Sequence, residues 1–277
     1  MGFDISYHPI RQDQMNSWFF QPLKALQNGD DSVIQDIIQK QPETFFAEKY
    51  SYVLQSIVNQ LDLPSEKGLL YGMAVISGLF TRYQYIRGTA YSFLLEKHPE
   101  MEKYCSPWSS FLPDWVKAPV HSRIEENYSS GIYMNPDQVK ALLSDYENDE
   151  TIHEILKDFF ASNLEVFLLA LQEASDTNSG LMEATEIIEV DPFDINKSTC
   201  YSDIRFCDPK GAYVYHDVAI AQFKELTGME EKEILQKIVS QEIIYQKNAI
   251  DIPDTTKQTS SAPEKKKGFF SRLFKRK

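Results

Sequence analysis

Apolar side chains recur at two different periods along this chain, and the change from one to the other sketches its elements. In MGFDISYHPI, Phe3, Ile5 and Tyr7 alternate with Asp4 and Ser6, the period of a strand with one face buried, and Pro9 ends the pattern. A helical period then takes over. Trp18, Phe19 and Leu23 form one stripe, Val33, Ile34, Ile37 and Ile38 a second, and Phe45, Phe46, Tyr50, Val53, Leu54, Ile57 and Leu61 a third. The uncharged run from Gly68 to Thr81 is about 14 residues long, short of the roughly 20 that span a bilayer, so it reads as a buried helix. Gly68 and Gly72 in that run would let a neighbouring helix approach closely.

Pro107, Pro113 and Pro119 break regular structure and suggest a connector. A helix is predicted after Asn135, a good N-cap, with Pro136 at the first helical position and Gln138 reaching back to the cap. From Asp149 the residues Ile152, Ile155, Leu156, Phe159, Phe160, Leu164, Phe167, Leu168 and Leu171 hold a helical period for about six turns, which predicts the longest helix of the chain. ATEIIEV reads as a short strand. FCDPKGAYVYH places Asp-Pro-Lys-Gly between two extended segments and reads as a hairpin. Helices from about His216 to Leu226 and from Glu230 to about Tyr245 follow, separated at Gly228.

These elements predict a mainly α protein with a few short β-strands: a helical core, a small hairpin and a disordered C-terminal linker. The expected organisation is an N-terminal helical half over 1–104 and an α+β half over 105–250 that packs with it into one body. A flexible linker over 251–267, poor in aliphatic residues and rich in Pro, Ser, Thr and Lys, leads to a basic amphipathic tail over 268–277.

Charge adds a contrast. The segment Lys265 to Lys277 carries seven of the 28 basic residues and no acid, so the remainder has 21 basic against 41 acidic residues and a charge of -20. So acidic a body repels phosphate backbones, which argues against a nucleic-acid partner. Three cysteines without repeated spacing fit a reducing, cytoplasmic setting, and the N-terminal pattern is not that of a secretory signal. In the tail, Phe269, Phe270, Leu273 and Phe274 occupy an arc of about 140° on a helical wheel, with Arg272, Lys275 and Arg276 on the rest. Such a segment suits an anionic membrane surface, on which each basic residue adds about 1 kcal/mol.

Chemistry is harder to find. Cys200, Cys207 and His216, with Asp203 and Asp208, are the nearest approach to a metal site or a thiol nucleophile, but two cysteines seven apart on one strand would point to opposite faces. Asp208 would raise the pKa of Cys207 rather than activate it. His153-Glu154 lacks the second His of a zinc-binding helix, and the Gly-rich phosphate loops and the serine elbow are missing. No catalytic residue, metal ligand or cofactor is assigned. The remaining cluster is Arg82, Tyr83, Tyr85, Arg87 and Tyr91, guanidinium groups among phenols, a mixture that lines anion pockets and interface hot spots.

The stretches MGFDISYHPI and STCYSDIRFCD resemble those of a family of uncharacterised bacterial proteins, a resemblance that implies no activity. GIYMNPDQVKALL is similar, more weakly, to part of the small YfbM-like bacterial domains. Two functional readings stand at this point. In the first, an acidic cytoplasmic interaction module of the adaptor or immunity type meets a basic partner protein and associates reversibly with the inner face of the membrane through its tail. In the second, an enzyme or binding protein holds a small anion or lipid headgroup at Arg82 and Arg87. The absence of any catalytic motif favours the first.

Overall fold

The computed structural model describes residues 3–41, 43–59, 67–116 and 122–238. Contacts divide the chain into two units, Met1–Ala219 and Ile220–Lys277. The first unit opens with strand β1 (Asp4–Ile10) and a helical run of α1 (Gln12–Met15), a π-helical stretch (Asn16–Phe20) and α2 (Gln21–Gln27). Helices α3 (Ser32–Ile38), α4 (Thr44–Val58) and α5 (Lys67–Ser77) follow, then strand β2 (Gln84–Arg87) and α6 (Tyr91–Lys97). Next come β3 (Ser130–Met134), α7 (Pro136–Asn148), α8 (Glu150–Phe160) and α9 (Leu164–Asp176). Strands β4 (Gly180–Thr185), β5 (Ile188–Glu189) and β6 (Thr199–Cys200) precede α10 (Lys210–Thr227). The protein is mainly helical around a small antiparallel sheet, the class that the periodicities predict.

Four strands pair in the order β2-β1-β4-β3, every pair antiparallel. Strand β1 is therefore internal, with Tyr7 opposite Gln84 on one side and Glu183 on the other. Helix α5 packs on one face of the sheet and α6, α7 and α9 on the other. This is why β1 is buried on both faces, Asp4, Ser6 and His8 included, rather than half-buried as its alternation suggests. Strands β1 and β2 come from residues before 105 and β3 and β4 from residues after it, so both halves of the sequence build one sheet.

One core lies on the α6, α7 and α9 side. Phe167 of α9 is at its centre, stacked on Phe160 with ring centroids 4.1 Å apart and meeting Tyr7 of β1 edge-on at 5.1 Å. Helix α7 begins as its sequence predicts. The Asn135 side chain accepts from the N–H groups of Asp137 at 3.0 Å and Gln138 at 2.9 Å, while the Gln138 side chain accepts from the Asn135 N–H at 3.0 Å. On the α5 side, an added Cβ at Gly72 would lie 2.2 Å from the Cδ1 atom of Ile57 of α4, so the two helices approach closely there.

Two sequence expectations are corrected. The helix foreseen from Asp149 through Leu171 is two helices, because the chain breaks at Ala161, which has a φ of 47°. At the break the Asn163 side-chain amide donates to the Arg87 carbonyl and to the Thr89 hydroxyl, each at 3.0 Å. Both helices turn their apolar side to the same core, so the period survives the break. The hairpin foreseen over FCDPKGAYVYH is instead the start of α10, the longest described helix at 18 residues. Asp208 accepts from the Lys210 N–H at 2.9 Å and Pro209 follows it, so Asp-Pro starts this helix as Asn-Pro starts α7. The small two-stranded sheet lies just before, where Ile188 of β5 pairs with Cys200 of β6.

In the second unit, Gly228 adopts a φ of 67° after α10, as a helix stop requires, and helix resumes over 231–238. The rest of the helix expected to Tyr245 lies outside the described residues. So do Pro119, the 251–267 linker and the 268–277 tail with Phe269, Phe270, Arg272, Leu273, Phe274, Lys275 and Arg276. No helix among the described residues is long and apolar enough to cross a membrane.

Candidate functional site

Alternation along β2 decides where the five candidate side chains go. Tyr83, Tyr85 and Arg87 share the sheet face of Asp4, Ser6 and His8, because Asp4 pairs with Arg87 and Ser6 with Tyr85. Arg82 lies ahead of the strand, 58% exposed, in an ion pair with Asp208 at 3.0 Å. Tyr91 begins α6 beneath the opposite face, where its hydroxyl donates to the Met101 carbonyl at 3.0 Å. A cluster in sequence thus becomes three environments in space.

The first is a group of carboxylates and phenols at one end of the sheet. Arg87 is ion-paired with Asp4, and its guanidinium sits over the Tyr215 ring, 5.3 Å from the centroid. The Tyr85 hydroxyl donates to Asp4 Oδ1 at 2.6 Å. The Asp4 N–H donates to Glu186 Oε1 at 3.3 Å, and the Glu186 N–H donates to the Asp4 carbonyl at 2.7 Å. Around the next corner the Tyr71 hydroxyl donates to the Glu186 carbonyl at 3.2 Å and the Tyr128 hydroxyl to Glu189 Oε1 at 2.9 Å. Glu186 and Tyr128 hold φ values of 58° and 57°, a left-handed backbone that costs side-chain-bearing residues energy and gathers at functional sites.

Burial first, and then the Asp4 carboxylate, push the Glu186 carboxyl from 4.5 up to about 8. A carboxyl that binds its proton more tightly in the folded state stabilises the fold fully below its unfolded pKa. That contribution drains away as pH rises from about 4.5 to about 8 and is gone above it. Thermal unfolding followed by circular dichroism across this range is expected to show a melting temperature that falls with pH, and a flatter profile in Glu186→Gln. Identical slopes in the two proteins would show that Glu186 is not the titrating group.

The second environment surrounds Tyr83. His8 is wholly buried, stacked on the Tyr83 ring at 4.8 Å, with Nε2 2.9 Å from Ser6 Oγ and Nδ1 unpartnered. Burial lowers its pKa to about 3, so the ring is neutral at physiological pH. The Tyr83 hydroxyl lies 3.4 Å from Cys200 Sγ, and Tyr83 forms a β-bridge with Cys207. The two thiols do not share a strand, as the face argument assumed; β6 ends at Cys200 and Cys207 precedes α10. Cys207 is pushed up to about 12, by burial first and then by Cys200 and Asp208, which leaves it a protonated, unreactive thiol. Among the described residues no group of three or more His, Cys, Asp or Glu is arranged to hold a metal ion.

The third environment is Glu183, at 0% exposure beneath the other face of the sheet. Its carboxylate accepts from the Tyr7 hydroxyl at 2.9 Å, the Tyr91 N–H at 2.5 Å, the Ser92 N–H at 3.3 Å and the Ser92 hydroxyl. Burial raises its pKa against the opposing effect of the bonds from Ser92 and Tyr7. These bonds tie β1, β4 and α6 together, and they give Glu183 a structural role.

Asp4, Glu183, Glu186 and Glu189 are not among the residues that sequence reasoning picked out. For the three glutamates the signal was present: LMEATEIIEV sets them at a spacing of three among mostly apolar residues. Neither a family model nor a curated protein nor a solved structure matches the chain.

Proposed function

We propose that this chain is an acidic interaction module that engages a basic partner protein, and that its C-terminal segment brings it reversibly to the anionic inner face of the cell membrane from the cytoplasm. The observation that carries this reading is the charge of -20 outside the last thirteen residues. Helices α7 and α8 contribute heavily to it, with Asp137, Glu147, Asp149, Glu150, Glu154 and Asp158 all exposed. Complementary charge speeds encounter and selects the partner. The reading of Arg82 and Arg87 as an anion site is weakened because each guanidinium is already paired with a carboxylate, Asp208 and Asp4.

The full chain and a chain ending at Ala262 test both parts. Both are expected to retain a stoichiometric basic protein from the native cell, released as salt rises, while only the full chain pellets with anionic vesicles. Retention of no basic protein ends the module reading, and equal pelleting ends the tail reading.

A further inference from the structure

The β1–β4 ladder ends with Ile5 opposite Thr185, and one step beyond it Asp4 meets Glu186. The Asp4 N–H donates to Glu186 Oε1 at 3.3 Å, the Glu186 N–H donates to the Asp4 carbonyl at 2.7 Å, and the two carboxyl groups are themselves hydrogen-bonded. Asp4 is 7% exposed and Glu186 5%, so both acids sit in a nearly dry site. One guanidinium serves them. Arg87, lying over Tyr215 of α10, pairs with Asp4 Oδ2, and the Tyr85 hydroxyl donates to Asp4 Oδ1 at 2.6 Å, so Asp4 is furnished as an anion. The other titratable groups around Glu186 bring no positive charge: they are Tyr71 of α5, Tyr128 before β3, Tyr201 after β6 and Glu189 of β5. Two acids and one cation balance only while one proton stays with the pair.

Glu186 is also a strained point of this corner, with its left-handed φ of 58°. Its flanks are fixed. Thr185 and Ile187 are both fully buried, and the Tyr201 N–H donates to the Ile187 carbonyl at 2.9 Å. A second negative charge in the site is therefore relieved at Glu186 itself, by rotation of its side chain towards solvent beside the half-buried Glu189. That rotation takes the acceptor from the Asp4 N–H and frees the Glu186 backbone to leave the left-handed region.

We propose that Asp4 and Glu186 share one proton and form a pH-sensitive latch, closed while the proton is held, that fastens the β4–β5 corner to the start of β1. Opening releases the proton. The opening equilibrium therefore rises by up to about tenfold for each pH unit between 4.5 and about 8, the ordinary and the folded values for Glu186, and levels off above that range. The latch depends on neither the basic partner nor the membrane-seeking tail.

Amide exchange of the full chain, followed residue by residue by nuclear magnetic resonance and corrected for the intrinsic base-catalysed rate, reads the latch. Between about pH 5.5 and about pH 7.5 the protection of the Asp4 and Glu186 amides is expected to fall by at least about tenfold, while amides deeper in the β1–β4 ladder keep theirs. Glu186→Gln keeps the shape and the acceptor for the Asp4 N–H but has no proton to lose, so its protection is expected to be independent of pH. Infrared difference spectra supply a second readout. Wild type is expected to show the stretch of a protonated carboxyl at about pH 6.5 that is lost by about pH 9, and Glu186→Gln to lack that difference. Should Glu186→Gln fail to fold, wild type decides: exchange that quickens at the corner alone, together with loss of the carboxyl band at higher pH, supports the latch. Protection that is constant with pH, that changes equally in Glu186→Gln, or that is lost throughout the sheet at once overturns it, as does a wild type without the protonated band.

Discussion

Glu183→Ala is expected to destabilise the fold by about 4 kcal/mol, enough to lower the melting temperature by about 10 °C. Two effects oppose each other at this carboxylate. Its burial is costly, as the raised pKa shows, so removing the charge relieves part of that cost. The donors around it weigh more. Without Glu183 the hydroxyls of Tyr7 and Ser92 and the Ser92 N–H lose their acceptor in a site closed to water, at about 1–3 kcal/mol each. The Tyr91 N–H is better placed, because it keeps the Tyr7 oxygen at 2.9 Å. Glu183→Gln retains the shape and one acceptor oxygen, and the Ser92 hydroxyl can turn to accept from the amide, so a loss of about 1–2 kcal/mol is expected. Urea unfolding of the three proteins measures the difference. If Glu183→Ala unfolds within about 0.5 kcal/mol of wild type, those donors have found other partners and the structural role assigned here fails.

The same residue shows what the sequence could convey. A period of two or 3.6 reports which positions are apolar, and it located β1, α3 and α4 because their stripes are apolar, whereas α5 showed as an uncharged apolar run and α7 through its cap. It is silent on polar groups buried on purpose. Asp4, Ser6 and His8 look like the wet side of a strand until pairing with β2 and β4 makes that strand internal. The candidates of β2 suffered the opposite fate. Tyr83 and Tyr91 are eight residues apart in sequence yet lie on opposite faces of the sheet, since a short strand and a turn separate them. Cys200 and Cys207 approach Tyr83 only because the chain turns between them, a fact of loop geometry that no spacing encodes. Asp-Pro before Lys-Gly is ambiguous in isolation, serving a type I turn or a helix start equally well. What decides it is Gly211.

Gly211→Ala is expected to cost about 3 kcal/mol, at the upper end of what overpacking does. In the first turn of α10 an added Cβ would lie 1.7 Å from the Tyr85 carbonyl oxygen and 2.7 Å from its carbon. Neither partner can step aside easily. The Asp208 N–H donates to the Tyr83 carbonyl at 2.9 Å and the Tyr83 N–H to the Phe206 carbonyl at 3.0 Å, so the start of α10 is stitched to β2 just before the contact. Tyr85 is itself held against β1, both through its pairing with Ser6 and through its hydroxyl bond to Asp4. Gly72→Ala supplies the contrast, since its Cβ would meet the Ile57 Cδ1 atom at 2.2 Å, the far end of a side chain that can rotate. There the gain in helix propensity, about 1 kcal/mol, offsets the repacking, and near-neutral stability is expected. Relief of the Gly211→Ala clash can come only by moving Tyr85 away, which breaks its bond to Asp4 and loosens the carboxylates behind the Glu186 titration. The variant should therefore lose stability and the pH dependence of its melting together. Gly211→Ala as stable as Gly72→Ala, with an unchanged pH profile, would mean that α10 is not wedged against β2.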